Sequence, residues 1–330
     1  MGVCALNVAT KFVVIGGAGF IGAHAVTKLL ANDAVTEVTV YDNFSSGRDV
    51  HLLEHEGDER LKVVRADVKK IDLLTEAMEG SDAVIHLASN PDISRAVTEP
   101  DIDFWEGTFL TNNVVEAMRR AGVRKLLYAS GSGVYGDLGF HEAEEDLGPL
   151  IPTSTYGASK LAGEALISSY AHMFDMQGRA FRFGNVVGPR QTHGVGYDFV
   201  RRLLKNPNYL EILGDGEQSK SYIHVDDVLE AVFLAFSEVA APFNVFNVAT
   251  GDYITVTEIA DLAAQAVGLD PDAVEYRYSG GDRGWKGDVP IVRLSTERVK
   301  KLGWSCQRSC REALSASLAS MVEDMRAGHI

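Results

Sequence analysis

The stretch Phe12-Val-Val-Ile-Gly16-Gly-Ala-Gly19-Phe-Ile-Gly22 decides the fold. Its four apolar residues read as a short strand buried on both faces. Glycines spaced by three follow, and then a helical pattern over residues 21–30. Glycine at such a turn lets the backbone bend sharply and approach a pyrophosphate held at the helix N-terminus. Gly-rich turns are common, so the context matters. Asp42 closes the next strand, 20 residues after Gly22. A carboxylate there accepts hydrogen bonds from adenosine ribose hydroxyls. The pattern predicts a dinucleotide cradle of Gly16, Gly19, Phe20, Ile21 and Gly22, with Asp42, Asn43, Ser46 and Gly47 on the adenosine side. Asp42 favours NAD because it repels a 2′-phosphate. Arg48, six residues on, is the residue that would serve one.

Outward from this stretch, strands are predicted at 38–41, 61–65, 83–87, 125–129 and 181–183. Helical patterns near 71–78, 103–120 and 156–174 lie between them. Strand–helix alternation of this kind predicts an α/β fold with a doubly wound parallel sheet, the Rossmann arrangement. Asp67 and Val68 then end the third strand, where a carboxylate meets an adenine amino group or caps a helix. Leu87, Ala88 and Ser89 end the fourth, beside the expected cofactor diphosphate and second ribose. Past residue 185 the pattern loosens into Gly and Pro clusters, with short helices near 225–236, 257–267 and 310–325. The expectation is an NAD-binding domain over about 1–180 and a smaller, mixed α/β substrate domain over 181–330.

Composition sets outer bounds. The chain has 330 residues, 46% hydrophobic and 23% charged, which suits a globular protein. Its formal net charge of −15 disfavours nucleic acid and anionic membranes as partners. One phosphorylated small molecule in a local basic pocket stays compatible. The three cysteines, Cys4, Cys306 and Cys310, fit neither a disulfide framework nor a paired zinc pattern, although a Cys306–Cys310 contact stays open. No signal peptide and no long apolar run is read, so a cytoplasmic location is expected. His86, His172, His193 and His224 lack a ligand spacing, and no metal is expected.

Tyr156-Gly-Ala-Ser-Lys160 places a phenol and an ammonium one turn apart on one helix face. The fifth strand runs into Ser130-Gly-Ser132-Gly-Val-Tyr135-Gly136. A hydroxyl at a strand end, a Tyr and a Lys form a proton-transfer set, in which the cation is expected to lower the phenol pKa.

These motifs, Gly16-x-x-Gly19-x-x-Gly22, Val134-Tyr135-Gly136 and Tyr156-x-x-x-Lys160, resemble the extended short-chain dehydrogenase/reductase family, whose members act on nucleotide sugars. The resemblance continues through Arg182–Arg190, Leu213–Asp227 and Arg283–Asp288, nearly the whole chain. It is nearest to the NAD-dependent UDP-glucose/UDP-galactose 4-epimerases, through His193–Phe199 and Arg283-Gly-Trp. It implies Tyr156 as base and Lys160 as its electrostatic partner. It implies Asn185, Lys220 and Arg283 at the substrate diphosphate, Leu213 and Gly214 at the nucleobase, and Arg190, His193 and Tyr222 as further substrate contacts. A homodimer through the helices near 103–120 and 156–174 is also implied.

Three positions depart from the family pattern. Lys220 stands where Arg is more usual, and offers a point charge without the bidentate fork. Gly131 stands where a Ser or Thr is usual, four residues before Tyr135. Ser132, or Ser130 after a one-residue shift, is the expected substitute. Gly107 stands where a cofactor-facing Asn is common. A dehydratase, a decarboxylase, a 4-keto reductase and a UDP-glucuronate epimerase are the rivals within the family. The pair Ser94-Arg95 keeps a carboxylate-bearing sugar open. A non-catalytic dinucleotide sensor is the rival of another class.

Overall fold

Seven parallel strands form the central sheet of the computed structural model, which describes residues 9–239, 241–285 and 287–329. In chain order the first half holds β1 (Lys11–Ile15), α1 (Phe20–Leu30), β2 (Glu37–Asp42), β3 (Leu61–Arg65), α2 (Ile71–Met78), β4 (Ala83–His86), α3 (Phe109–Ala121), β5 (Lys125–Ala129), α4 (Thr155–Met173) and β6 (Gln177–Phe183). The second half holds β7 (Asn185–Val187), α5 (Val195–Lys205), β8 (Tyr209–Ile212), β9 (Ser219–Lys220), β10 (Tyr222–His224), α6 (Val225–Glu238), β11 (Phe243–Val248), β12 (Ile254–Thr255), α7 (Val256–Val267), β13 (Glu275–Tyr278), α8 (Glu297–Lys300) and α9 (Cys310–Ala327).

The spatial order is β11-β6-β5-β4-β1-β2-β3. It reverses between β1 and β4, and ligands of open α/β sheets bind at that switch point. Period-two alternation divides the core. Phe12 and Val14 pack with Phe181, Phe246, α1 and α6 on one face. Val13 and Ile15 pack with Tyr128, α2 and α3 on the other. The predicted apolar face of α3, Leu110, Val114 and Val115, belongs to this second core. β3 departs from the expected two-faced burial. It is the edge strand, and Val63 keeps 44% of its surface in water.

The strands β7–β13 and the helices α5 and α8 were not read from the chain. β11 returns to the sheet and pairs with β6 from Phe243–Gly178 to Val248–Phe183. α5 starts after Gly194, whose φ is +94°. α5, α7 and α9 enclose a second apolar core around Phe199, Leu210, Ile259 and Leu318. Cys306 and Cys310 are free thiols. Cys310 is buried at the start of α9, where its sulfur accepts from the Tyr222 N–H at 3.1 Å. Cys4 lies outside the described residues. No described helix is long and apolar enough to cross a membrane.

Candidate active site

The glycine turn is shaped by close approach. A Cβ on Gly22 would sit 2.1 Å from the Gly16 carbonyl oxygen, and one on Gly16 would sit 2.8 Å from the Ala88 nitrogen. The ends of β1 and β4 therefore meet backbone to backbone. Gly19 gives α1 no side-chain cap, so its first-turn N–H groups face the crevice as an anion site. The Asp42 carboxylate accepts from the Ala18 N–H at 2.9 Å and the Phe44 N–H at 2.8 Å, which fixes the turn. Gly47 lies against it, with room for no side chain: a Cβ would come within 3.0 Å of both carboxylate oxygens. Asp67 accepts from the Lys69 N–H at 2.8 Å and from Asn43 Nδ2 at 3.3 Å, so it caps its own turn while standing on the adenosine side. Val68 is buried beside it, and Ser46 is exposed. These residues fit a dinucleotide: the cradle is one that any Cβ would fill, and the helix terminus above it is open.

Tyr156 lies in the first turn of α4, which is capped by Ser154 accepting from the Gly157 N–H at 3.1 Å. A Cβ on Gly157 would sit 2.3 Å from the Gly133 carbonyl oxygen, so the loop after β5 rests directly on α4. Lys160 is 3% exposed and donates to the Ala129 carbonyl at 2.8 Å. Its ammonium stands 5.4 Å from the Tyr156 ring centre and 5.3 Å from that of Tyr128. Burial pulls the Lys160 pKa down to about 8, against the pull of Asp103. Burial also pushes Tyr156 up to about 12, and a hydrogen bond with the Ser89 hydroxyl works against that rise. In the protein alone the phenol is raised rather than lowered, because desolvation dominates.

The residues after β5 that carry or replace a hydroxyl have these surroundings. Ser130 is buried and donates to Glu164 at 2.5 Å. Glu164 forms a buried pair with Arg182 at 2.7 Å. Ser132 opens a short helical turn over Ser132–Tyr135 and lines a small cavity with Tyr135, Leu138 and His141. Gly131 is the residue that faces the phenol ring, since a Cβ there would lie 3.9 Å from Tyr156 Cε1. Tyr135 points inward and donates to Asn247 at 2.8 Å, tying its loop to β11. At Gly107 the main chain approaches α4, and a Cβ would meet Ser159 Oγ at 2.7 Å. A π-helical turn over Phe104–Thr108 accompanies that contact.

On the far side of the crevice, Lys220 and Arg283 converge. Lys220 pairs with Asp288 at 2.6 Å. Arg283 donates to the Asp288 carbonyl at 2.6 Å and pairs with Asp137 at 2.6 Å. Asn185 is exposed nearby on β7, and donates to the Ser221 carbonyl at 3.3 Å. Leu213 is 55% exposed beside Gly214, whose φ of +83° suits glycine. Tyr222 contributes to the second core and is 8% exposed. His193 is exposed on the loop before α5.

Arg190 is not with this group. It donates to the His51 carbonyl at 3.1 Å and to Glu54 at 2.7 Å, because its φ of +67° turns it toward the glycine turn. Arg95 is likewise committed, its guanidinium forked onto Glu99 at 2.8 Å. Sequence reasoning missed Glu164, Asp103 and Asn247. Each is a polar residue whose role exists only through partners distant in the chain.

The sequence profile of the NAD dependent epimerase/dehydratase family matches residues 12–249. A UDP-glucose 4-epimerase of Mycolicibacterium smegmatis is 35% identical over 323 residues, covering 96% of this chain and 98% of the relative. A crystal structure of a UDP-galactose 4-epimerase superposes with a TM-score of 0.84 at 38% identity, covering 96% of this chain and 99% of that one. A dTDP-glucose 4,6-dehydratase from Streptomyces venezuelae with NAD bound superposes with a TM-score of 0.88 at 26% identity, over 96% and 98% of the two chains. With the glycine cradle at the switch point and the Tyr156/Lys160 pair facing it, the chain belongs to the NAD dependent epimerase/dehydratase family.

Proposed function

We propose that this enzyme is an NAD-dependent nucleotide-sugar 4-epimerase of the UDP-glucose/UDP-galactose type. The observation that carries the reading is the pairing of Tyr156 and Lys160 on α4, with Lys160 anchored at the end of β5 and the glycine cradle packed against the chain that follows β4. The dinucleotide, when bound, supplies a hydride acceptor and donor. Tyr156 takes the proton of the sugar 4-hydroxyl and returns it after the sugar has turned over. Lys160, held by the Ala129 carbonyl, keeps a positive charge within reach of the phenolate. Asn185, Lys220 and Arg283 hold the substrate diphosphate, and Leu213 and Gly214 line the base. Gly16, Gly19 and Gly22 seat the cofactor diphosphate, with Asp42 at the adenosine ribose.

Dehydration needs a free acid–base pair beyond the tyrosine. Residues 130–133 contain no carboxylate. The two buried acids nearby are committed, Glu164 to Arg182 and Asp103 to Asn90 and Thr155. That supports epimerisation over the dehydratase and decarboxylase readings. The test is incubation of the purified protein with UDP-glucose and with UDP-galactose. Interconversion that Tyr156→Phe slows by roughly 10²–10⁴-fold is expected. Absence of interconversion, with formation of a 4-keto-6-deoxy sugar or loss of CO₂ from UDP-glucuronate, would replace it by a rival.

A homodimer fits the same reading. Phe104 and Trp105 stand 52% and 46% exposed in the π-helical turn that leads into α3.

A further inference from the structure

The Ala18 carbonyl, inside the glycine turn, accepts two hydrogen bonds from one neighbouring segment. The Arg48 N–H donates at 3.0 Å, and the His51 ring donates through Nδ1 at 2.8 Å. A carbonyl only accepts, so Nδ1 carries a ring proton. Burial holds the His51 pKa below its usual value, which leaves the ring neutral at pH 7. Its other nitrogen, Nε2, is then a bare acceptor, buried with no partner among the described residues. An unsatisfied buried nitrogen disfavours the fold. What histidine adds over an apolar side chain at this position is the bond to the turn.

The segment that carries His51 is itself gripped from the second half of the chain. Arg190 donates to the His51 carbonyl at 3.1 Å and to Glu54 at 2.7 Å. The same Glu54 oxygen accepts from Thr27 of α1 at 2.8 Å. Alongside, His24 of α1 donates to the Pro189 carbonyl at 2.9 Å. Arg190 reaches these partners from a φ of +67°, a left-handed backbone that arginine rarely adopts. Such a conformation persists only where surrounding contacts enforce it, and these bonds do so. The connections run in series. Arg190 fixes the main chain of His51, the His51 ring fixes the Ala18 carbonyl, and the Ala18 N–H reaches Asp42 at 2.9 Å.

We propose that His51 is a positioning residue for the dinucleotide: its Nδ1–H holds the glycine turn in the shape that seats the cofactor diphosphate, and Arg190 acts through it. The inference rests on the seating of NAD on that turn given above. Neither side chain transfers a proton or a hydride. Their effect is on how long the cofactor stays.

The readout is the dissociation rate of NAD⁺ from the loaded protein, followed by exchange against labelled NAD⁺. His51→Asn puts an amide nitrogen on the same Cγ that carries Nδ1, where it can donate to Ala18. His51→Gln moves that nitrogen one bond farther out. His51→Gln is expected to speed NAD⁺ release by roughly 5- to 50-fold, as loss of a buried hydrogen bond does, and His51→Asn by less than about threefold. Both variants lose the imidazole, so a packing role alone would make them alike. Arg190→Ala should speed release by roughly 3- to 10-fold, and adding it to His51→Gln should change that variant's rate by no more than about twofold, since the two act in series. A wild-type rate in His51→Gln, or equal acceleration in the two amide variants, would overturn the role of His51. Factors that multiply in the double variant would overturn the action of Arg190 through it. Gly19→Ala probes the seat itself. Release at the wild-type rate there removes the seating on the turn, whereas faster release there with none in His51→Gln removes this inference alone.

Discussion

At Lys160 a single side chain sets function against stability. Its ordinary pKa of 10.5 falls to about 8 in the fold, because burial disfavours the charge. Below pH 8 the folded protein bears the full cost of a buried ammonium. Between pH 8 and 10.5 that cost fades, so this group makes stability rise with pH over that window. Lys160→Met is expected to stabilise the protein at pH 7 by up to about 3 kcal/mol while reducing turnover to near background. Denaturant melts at pH 7 and pH 10 check this, and the gain should shrink at the higher pH. Residues of this kind were legible because their spacing in the chain is their spacing in space. The hydroxyl partner was not. Ser130 and Ser132 flank Gly131 in the chain, and only the path of the loop after β5 sets Gly131 against the Tyr156 ring.

Among elements, the join of α4 to β6 is the most consequential. Glu164 on α4 and Arg182 on β6 form a pair only 5% and 4% exposed, with a fork of two hydrogen bonds at 3.0 and 2.7 Å. Burial alone would lower the Arg182 pKa, but Glu164 raises it instead. Arg182 also lies over the Tyr135 ring at 4.7 Å, so the pair fixes helix, strand and loop together. Glu164→Ala strands a buried guanidinium and is expected to cost about 3–5 kcal/mol, whereas Glu164→Ala with Arg182→Met should cost less than the single change. Urea unfolding of the three proteins measures it. Elements of the first half were readable since local pattern and tertiary demand agree there. α2 and β5 fall where their apolar spacing places them. α5 and β11 failed for opposite reasons. α5 holds Gly196, a weak helix former. It is kept because a Cβ there would come 3.0 Å from Leu318 of α9. β11 carries Asn247 in its core, fully buried and satisfied by Tyr135 and the Ala143 carbonyl, which no alternation rule anticipates.

For the molecule as a whole, the proposed dimer and the proposed anionic ligand both have to be reconciled with a formal net charge of −15. The proposed dimer face is aromatic rather than charged. Phe104, Trp105 and Phe109 form an edge-to-face ladder with ring centres 5.0 and 5.4 Å apart. Trp105→Lys is expected to convert a sedimenting dimer into monomer, and an unchanged sedimentation coefficient would remove that face from the assembly. The substrate mouth raises a separate point. Lys220 and Arg283 are already matched by Asp288 and Asp137, so the place proposed for a diphosphate is electrically balanced before anything arrives. Capture is then an exchange: the ligand displaces the protein's own carboxylates instead of meeting bare cations. Added salt loosens the resident pairs along with the incoming one, and the two losses offset. The KM for the nucleotide sugar should therefore vary by less than about threefold between 0.05 and 0.5 M salt, where an unpaired dicationic pocket would lose far more.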